Sequence, residues 1–405
     1  MATYESYKDS GVKWLGQIPS HWEVKSLRNF LRPFSERNHP DKQLLSVTRD
    51  KGVIVRGAKG EDDNHNVIPE DLSGYKYVHP GDFVINKMKS WQGSYGVSDF
   101  EGIVSPAYFT YQLDFANKRF FSLALRSSAY IPFFMQFSKG IRVDQWDLTP
   151  DALKTIPFFL PPRNEQEAIV AYLDKVTGDI DRAIEAQQKM IDALNERKQI
   201  IITRAVTRGL NPDAPLRDSG IDWLGQIPEH WDFCKLKYFI KIKSGEAISN
   251  TQLSDNGKYL VYGGGEPLGR FNQHNIDNGN IVIGRVGARC GCITPIYEKA
   301  WATDNALVVS FKGIDFQFVI YCLIAADLNR VASTNAQPLL TGTKVKNTCI
   351  AVPTLNEQIE IVSFIKSATQ NIDLSISNCE RMISLLQERK QIIINEVVTG
   401  KTKVI

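Results

Sequence analysis

The sequence predicts a mixed α/β fold, α+β in its element order, with two globular domains separated by two long antiparallel coiled-coil helices and related by an internal pseudo-twofold repeat. Three observations predict it: a tryptophan-rich motif occurs twice, a helical pattern occurs twice, and the segments between them differ. The 405 residues, 43% hydrophobic and 23% charged with a net charge of +3, are typical of a folded chain. This composition excludes a disordered or collagen-like protein.

The first repeat is a motif of the form WLGxIPxHW. Residues 8–27 read KDSGVKWLGQIPSHWEVKSL and residues 217–236 read RDSGIDWLGQIPEHWDFCKL, with 12 identities in 20 positions. Its Gly and Pro residues exclude one regular helix. The tryptophans could simply cover a domain edge, but repetition indicates a shared task, and we expect the motif to fix each middle segment against the helices. Four motif residues are assigned to the partner or helix interface: Trp14, Leu15, Trp223 and Leu224.

The second repeat aligns residues 194–209 with residues 386–401 at 10 identities in 16 positions, and the string NEQ stands at 164–166 and again at 356–358. Apolar residues before and within these stretches alternate at spacings of three and four, which predicts long helices with a coiled-coil seam. Each helix would hold roughly 40 to 45 residues and span about 60 to 65 Å. The predicted seam includes Ile184, Ile191, Leu194, Ile376, Ile383 and Leu386.

These patterns divide the chain into four parts. The first domain with its motif covers 1–160 and the central long helix 161–210; the second motif and domain cover 211–352 and the last long helix 353–405. The middle segments carry short strand-like runs between Gly and Pro turns, together with helical pieces, which favours mixed α/β domains. Charged residues near the helical seam form either a solvated face or a docking surface for helices of a partner.

The chain lacks the sequence signatures of an enzyme active site. No phosphate-binding loop, HExxH or GxSxG string occurs, and the string NPDAP at 211–215 lacks the aromatic residue of an amino-methyltransferase loop. Cys290 and Cys292 are only a weak hint of a metal site, so we expect no metal and no cofactor in this chain. No signal peptide and no run of 18 apolar residues is present, which predicts a cytoplasmic protein without a membrane span.

Basic and polar loops in the two middle segments are the candidate DNA-binding sites. Residues 235–300 contain nine Lys or Arg against five Asp or Glu. Arg can bond a guanine edge, whereas Lys and backbone amides hold phosphates. The alternative is ordinary turn chemistry with solvated charge. The candidates in the second segment are Lys243, Ser244, Tyr262, Arg270, Arg285 and Arg289. Those in the first are Lys87 and Lys89 for phosphates, and Gln92, Ser94 and Tyr95 for bases.

The paired motifs resemble the DNA-specificity (S) subunits of type I restriction-modification enzymes. The resemblance rests on SGVKWLGQIPSHW and SGIDWLGQIPEHW, on the two NEQ-headed helices that end in ERKQIII, and on residues 77–108. It implies a noncatalytic subunit whose two target recognition domains each read one half of a bipartite, asymmetric site on double-stranded DNA. It also implies two methyltransferase (M) subunits with S-adenosylmethionine, and restriction and motor (R) subunits with ATP and Mg²⁺. The base-contact residues are not fixed within this family, so the candidates above rest on loop composition.

Two other classes of protein remain open at this point. A self-contained DNA methyltransferase with a recognition domain would bind S-adenosylmethionine without a partner. A coiled-coil scaffold that binds only protein would show no salt-sensitive binding of DNA.

Overall fold

The computed structural model describes residues 3–57, 68–139, 146–332 and 338–404. The chain divides into two compact units. Unit 1 consists of residues 1–186 and 382–405, and unit 2 consists of residues 187–381. Each unit therefore contains one part of each long helix.

Unit 1 contains fourteen short strands among its described residues, three short helices and a part of each long helix. The strands are β1 Tyr7–Asp9, β2 Gln17–Pro19, β3 Glu23–Ser26, β4 Leu31–Phe34, β5 Leu45–Thr48, β6 Gly52–Val55, β7 Lys76–Val78, β8 Phe83–Ile85, β9 Tyr95–Val97, β10 Gly102–Val104, β11 Phe109–Leu113, β12 Ser138–Lys139, β13 Asp147–Leu148 and β14 Pro157–Leu160. The helices are α1 Lys118–Leu125, α2 Ile131–Phe137, α3 Pro150–Thr155 and the long α4 Arg163–Arg208.

The largest sheet of unit 1 has the antiparallel order β4-β11-β8-β9. β5 and β6 form a hairpin, while β7 pairs with β10 and β3 with β14. The core is aromatic and includes the fully buried rings of Phe120, Phe121, Phe134 and Phe158. Aromatic side chains bury a large area each, so these short helices can be held on the sheet by few residues.

Unit 2 contains eleven described strands, three short helices and the other part of each long helix. The strands are β15 Leu216–Asp218, β16 Gln226–Pro228, β17 Asp232–Lys235, β18 Ile240–Ser244, β19 Tyr259–Tyr262, β20 Pro267–Phe271, β21 Asn280–Gly284, β22 Ile293–Ile296, β23 Ala300–Ala302, β24 Ala306–Phe311 and β25 Cys349–Val352. The helices are α5 Phe316–Ala325, α6 Leu328–Val331, α7 Gly342–Asn347 and the long α8 Leu355–Val398.

The largest sheet of unit 2 has the antiparallel order β18-β24-β21-β22. A second sheet, β20-β19-β23, includes a parallel pair between β19 and β23. The core is mostly aliphatic and packs the buried α5 and the sheet against the end of α4 and the start of α8. The predicted mixed α/β fold is therefore confirmed.

The long helices bury one side through regular spacing. In unit 1, Leu173, Thr177 and Ile180 of α4 are buried, and Ile393 of α8 belongs to the same core. In unit 2, Ile191 of α4 and three residues of α8 are buried: Ile365, Thr369 and Ile372. The predicted seam residues Ile184, Leu194, Ile376, Ile383 and Leu386 are half-buried. This is the spacing of a coiled-coil seam.

An ion pair joins the two long helices within each unit. Lys390 Nζ lies 2.6 Å from Asp181 Oδ1 in unit 1, and Lys198 Nζ lies 2.6 Å from Asp373 Oδ1 in unit 2. Both Lys residues belong to the ERKQIII strings, at the offset of 192 residues that relates the helical repeats. These charges cross from helix to helix, so they are not simply a solvated face.

Candidate nucleic-acid interface

The WLGxIPxHW motif of unit 1 contacts both long helices. Trp22 is fully buried, and its indole Nε1–H donates to Glu165 Oε2 at 2.9 Å in the first turn of α4. His21 Nε2 lies 2.5 Å from the other oxygen of the same carboxylate. Gly400, just after α8, has a φ of +73°, and an added Cβ would lie 2.3 Å from Pro19 Cδ. The start of α4 and the end of α8 therefore meet at one motif, so the two helices run antiparallel here.

The second motif makes the same contacts in unit 2 with the roles of the helices exchanged. Trp231 Nε1–H donates to Glu357 Oε1 at 3.1 Å at the start of α8, and His230 Nε2 lies 2.8 Å from that oxygen. Gly209, after α4, packs on Trp231. Burial alone would raise the pKa of Glu357, but hydrogen bonds from His230, Trp231 and Thr354 outweigh it and lower the pKa to about 2. The expectation that the motif fixes its domain to the helices is confirmed by these contacts.

The four motif residues assigned to an interface differ in accessibility. Leu15 and Leu224 are each 4% exposed and belong to cores that also include long-helix residues, such as Val397 with Leu15 and Ile202 with Leu224. Trp14 is 44% exposed and packs edge-on against Phe133, while Trp223 is half-buried.

The two loops singled out by composition occupy corresponding places in the two large sheets. In unit 1 the loop joins β8 to β9, where Ile85 pairs with Tyr95. In unit 2 it joins β21 to β22, where Ile283 pairs with Ile293. Each loop contains a 3-10 turn, at 90–92 and 287–289. The sequence alone did not align these loops with each other.

Several hydrogen bonds match at equivalent positions of these two loops. Asn86 N donates to Ser94 O at 3.0 Å, and Gly284 N donates to Cys292 O at 3.0 Å. Gly93 and Gly291 both take a left-handed φ, of 96° and 78°. A second matching pair is Leu148 N to Lys87 O at 3.2 Å and Leu340 N to Arg285 O at 2.8 Å. A common scaffold therefore presents two different sets of side chains.

Lys87 and Arg285, at equivalent places in the loops, have different partners. Lys87 Nζ lies 3.0 Å from Asp147 Oδ2, so its charge is already paired in the free protein. Arg285 Nη1 donates at 3.4 Å to Ser244 Oγ, which brings two of the predicted DNA-binding residues together. The Nε of Arg285 is buried without a hydrogen-bond partner in the described part of the chain. The equivalent side chains thus differ in both donor geometry and available charge.

Three predicted residues of unit 1 line one polar recess of about 290 Å³. Lys89 is exposed at its rim, Gln92 is half-buried, and Ser94 is buried. The recess is closed by the tip of the β5–β6 hairpin, including Thr48 and Arg49. Hydrogen-bonding side chains and one apolar residue, Val47, line it, so it offers donors and acceptors rather than a hydrophobic pocket.

Tyr95 is a core residue, and the prediction that it contacts bases is wrong. Its ring is fully buried and stacked on Phe134 at a centroid distance of 3.9 Å. Its hydroxyl donates to Leu125 O at 2.9 Å, and burial raises its pKa. The ring lies on the face of β9 that α2 covers, whereas Lys89 in the preceding loop is exposed.

Unit 2 has a larger groove of about 780 Å³ that includes Tyr262 and Arg270. Arg270 is exposed, and its Nη1 donates to Gly257 O at 3.3 Å. Tyr262 is half-buried, and burial followed by the nearby charge of Glu298 raises its pKa. The exposed Tyr297 also lines this groove. Basic, aromatic and acidic groups therefore share one surface.

The remaining predicted residues of unit 2 are exposed near other loops. Lys243 Nζ donates to Asn275 O at 3.3 Å, and Arg289 Nη1 donates to Glu266 O at 3.0 Å. Neither residue lines the groove that contains Arg270. The structure therefore groups Ser244 with Arg285, and Tyr262 with Arg270, but does not join all six candidates into one pocket.

Several residues at these surfaces were missed in the sequence. Lys258, Tyr259 and Lys299 line the groove of unit 2, while Asn86 and Arg49 line the recess of unit 1. Asn86 directly follows β8 and could have been found from its place before the basic loop. Arg49 lies far away in sequence, and only the packing of the hairpin brings it to the recess.

No helix within the described ranges is long and apolar enough to cross a membrane. Across those same residues, no group of three or more His, Cys, Asp or Glu side chains is arranged to hold a metal ion.

Residues 228–378 match the family described as "Type I restriction modification DNA specificity domain". Nearly the whole chain is also similar to two curated proteins of Methanocaldococcus jannaschii. It is 25% identical to the type I restriction enzyme MjaVIII specificity subunit, over 98% of this chain and 97% of that protein. It is 24% identical to the putative type I restriction enzyme MjaX specificity subunit, over 98% of both. The predicted resemblance to type I specificity subunits is confirmed.

The fold agrees with that of a solved chain from a study of complex assembly and conformational transition of the type I R-M system. The TM-score is 0.61 at 15% identity, with 95% of this chain and 99% of that chain covered. At this identity the likeness concerns the fold alone. The family match covers the end of the second motif, most of unit 2 and the first half of α8, which are the parts that contain Glu357 and the groove.

Proposed function

We propose that this chain is the DNA-specificity subunit of a type I restriction-modification system. The domain of unit 1 reads one half of a bipartite, asymmetric site on double-stranded DNA, and the domain of unit 2 reads the other. The observation that carries the proposal is the pair of equivalent loops, 86–94 and 284–292, which share hydrogen bonds but differ in side chains. One scaffold with two side-chain sets is what two different half-sites require.

The chemistry of these surfaces suits recognition of a duplex. Exposed Lys and Arg side chains hold phosphates and set the register, while amide, hydroxyl and guanidinium groups read base edges. Lys89 and Gln92 offer both kinds of group in unit 1. Arg270 and Arg285 do so in unit 2. The two recognition domains therefore favour different bases but bind the DNA backbone in a similar way.

The long helices set the distance between the half-sites and dock the partners. In this proposal the recognition domains are residues 1–160 and 211–352, and the helical regions are 161–210 and 353–405. The chain itself is noncatalytic. Two M subunits supply S-adenosylmethionine chemistry, and R subunits supply ATP- and Mg²⁺-dependent cleavage.

The M subunits dock on the helical ends beside each motif. In unit 2, two cavities of about 490 and 430 Å³ flank α4. Ile200, at 59% exposure, lies between Arg204, Arg208 and the half-buried Trp223 on this surface. An apolar patch rimmed by charge is typical of a protein interface. We expect Ile200→Glu to reduce copurification with an M subunit while leaving the secondary structure unchanged.

Coexpression with the methyltransferase partner tests the function directly. The DNA of the host is then sequenced with a method that detects methylated bases. Two short fixed motifs separated by a constant gap are expected, and methylation without such a motif would overturn the proposal. Exchange of residues 24–159 for the matching domain of another specificity subunit should change one half of the motif and leave the other half intact.

Lengthening the helices tests their role in spacing. Insertion of one heptad into α4 after Ala186, with a second heptad in α8 after Arg381, keeps the seam in register and adds about 10 Å. The gap between half-sites should widen by about 3 base pairs, at 3.4 Å per base pair. A heptad replaced by another of equal length is the control and should leave the gap unchanged. An unchanged gap in the lengthened chain would contradict the spacing role.

A further inference from the structure

The tip of the β5–β6 hairpin borders the recess of unit 1 and is highly exposed. The side chains of Arg49 and Asp50 are 72% and 84% exposed, and Lys51 follows them. Lys89 and Gln92 face the same recess from the loop after β8. Neither Lys89 nor Gln92 has a side-chain hydrogen bond to the described residues. Four polar side chains from two separate loops thus line one recess, and the exposed Lys51 is next to them in the turn.

Two glycines let the hairpin approach the large sheet closely. Gly52, which ends the turn, has a φ of +74°, a conformation that residues with a Cβ rarely adopt. Gly96 of β9 packs against it, since an added Cβ on Gly96 would lie 3.4 Å from Gly52 Cα. The backbone of the turn therefore rests on the backbone of the sheet without intervening side chains.

Arg126 holds this turn in place through hydrogen bonds to backbone oxygens. It lies at the end of α1, and its Nη2 donates to Arg49 O at 3.2 Å and to Asp50 O at 2.6 Å. Its Nη1 donates to Tyr95 O on β9 at 2.8 Å. One planar guanidinium thus connects the first two residues of the turn to the sheet. Lys could not make these bonds with the same geometry, because its ammonium group is a single point.

We propose that the turn Arg49–Lys51, together with Lys89 and Gln92, contacts the bases and phosphates of the half-site read by unit 1, and that Arg126 is the positioning residue of this surface. The inference rests on the proposed function and assigns its residues in unit 1. Gln can bond adenine in bidentate fashion, Asp can accept from the amino group of cytosine, and Arg or Lys can bond guanine. Arg126 acts through the turn and does not contact DNA.

The test uses the complex of this chain with its methyltransferase partner and duplexes in which each base pair of the mapped site is substituted in turn. Gln92→Ala should lower discrimination at one base pair of one half-site by roughly 10- to 100-fold. Lys89→Ala should weaken binding of all duplexes alike and reduce the salt slope by about 1. Arg28→Ala, an exposed substitution on the 3-10 turn at 27–29, is the matched control and should change neither quantity.

Arg126→Ala tests the positioning role. Discrimination in the half-site read by unit 1 should fall by roughly 10-fold or more, and Arg126→Lys should recover only part of it. The other half-site should be read as in the wild type, because the defect is confined to the recognition domain of unit 1. Equal loss in both half-sites, or no loss in either, would overturn the role of Arg126.

A combined variant protects the proposal against a folding artefact. Arg49→Ala, Asp50→Ala and Gln92→Ala all change exposed or half-buried groups, so the fold should persist. If this triple variant still discriminates at every base pair of both half-sites, the assignment of the recess is wrong. A wild-type complex that methylates no two-part motif would instead overturn the proposed function itself, so the two failures are distinct.

Discussion

Each WLGxIPxHW motif meets the start of a long helix at a joint centred on one glutamate carboxylate. The two joints differ in one of the hydrogen-bond donors to that carboxylate. Glu165 and Glu357 each accept from the His and Trp of a WLGxIPxHW motif. At the second joint, the backbone N–H and hydroxyl of Thr354 also donate to Glu357 Oε2, at 3.1 and 2.9 Å. At the first joint the equivalent position is Pro162, which has neither donor.

Tyr4 supplies the missing donor at the first joint. Its hydroxyl donates to Glu165 Oε2 at 3.2 Å, and burial followed by the charge of Glu165 raises the pKa of Tyr4. The second joint uses a capping box, in which Thr354 and Glu357 satisfy each other's backbone groups. A buried carboxylate is stable only with its lone pairs satisfied. Both joints therefore satisfy the carboxylate, but through different residues: Tyr4 at the first joint and Thr354 at the second.

Removal of the buried tryptophan should have the largest effect on either joint. Trp22→Ala and Trp231→Ala each delete an almost fully buried ring and one donor to a carboxylate, which we expect to cost about 3 to 5 kcal/mol in the free energy of unfolding. Guanidinium titration of the full chain measures it. Trp14→Ala, in the same motif but 44% exposed, is the control and should cost less than about 1 kcal/mol. Equal costs for Trp14 and Trp22 would contradict the assignment of the joint.

Acid should weaken the second joint through Glu357. Its pKa is about 2 in the folded chain against an ordinary value of 4.5, so its contribution is present above pH 4.5 and is lost as the pH falls toward 2. Because the side chain is partly exposed, we expect its ionisation to contribute about 1 to 2 kcal/mol to the free energy of unfolding. Unfolding of wild type and Glu357→Gln should therefore differ at pH 6 and converge near pH 2.5. A difference that stays constant with pH would exclude this ionisation.

The smallest losses of stability should come from removing the hydrogen-bond donor that differs between the two joints. Tyr4→Phe and Thr354→Ala should each cost about 1 kcal/mol, since each removes a hydrogen bond to a carboxylate that keeps its other donors. Adding Pro162→Thr to Tyr4→Phe should recover part of the loss by creating a capping box at the first joint. Denaturation of the three variants measures this exchange, and an unchanged stability of Tyr4→Phe would show that Tyr4 acts by packing alone.

The sequence predicted the location of the recognition loops better than the orientation of their residues. Lys89 and Gln92 were found because basic and polar residues cluster in a Gly-containing loop. Tyr95 was predicted to lie in the loop, but it is the first residue of β9. It lies on the face of that strand that α2 covers. That covering helix comes almost forty residues later, so no local pattern signals it.

The long helices were predictable from periodicity, but the contacts at their ends were not. The repeated NEQ string places a glutamate in the first turn of each long helix, where the helix dipole favours an acidic side chain. The structure adds Trp22, 143 residues from Glu165. A pairing across such a distance depends on the packing of the whole unit, which the spacing of residues within one helix does not encode.

The division of the helices also bears on the order in which the protein is completed during synthesis. The core of unit 1 includes Ile393, Val397 and Val398, which follow all of unit 2 in the chain. At 5 to 20 residues per second, the ribosome needs roughly 10 to 40 s to reach them after residue 186. Until then the nascent first domain exposes the apolar groups that α8 will cover, whereas unit 2 has all its residues earlier. The first domain to emerge is therefore the last to be finished.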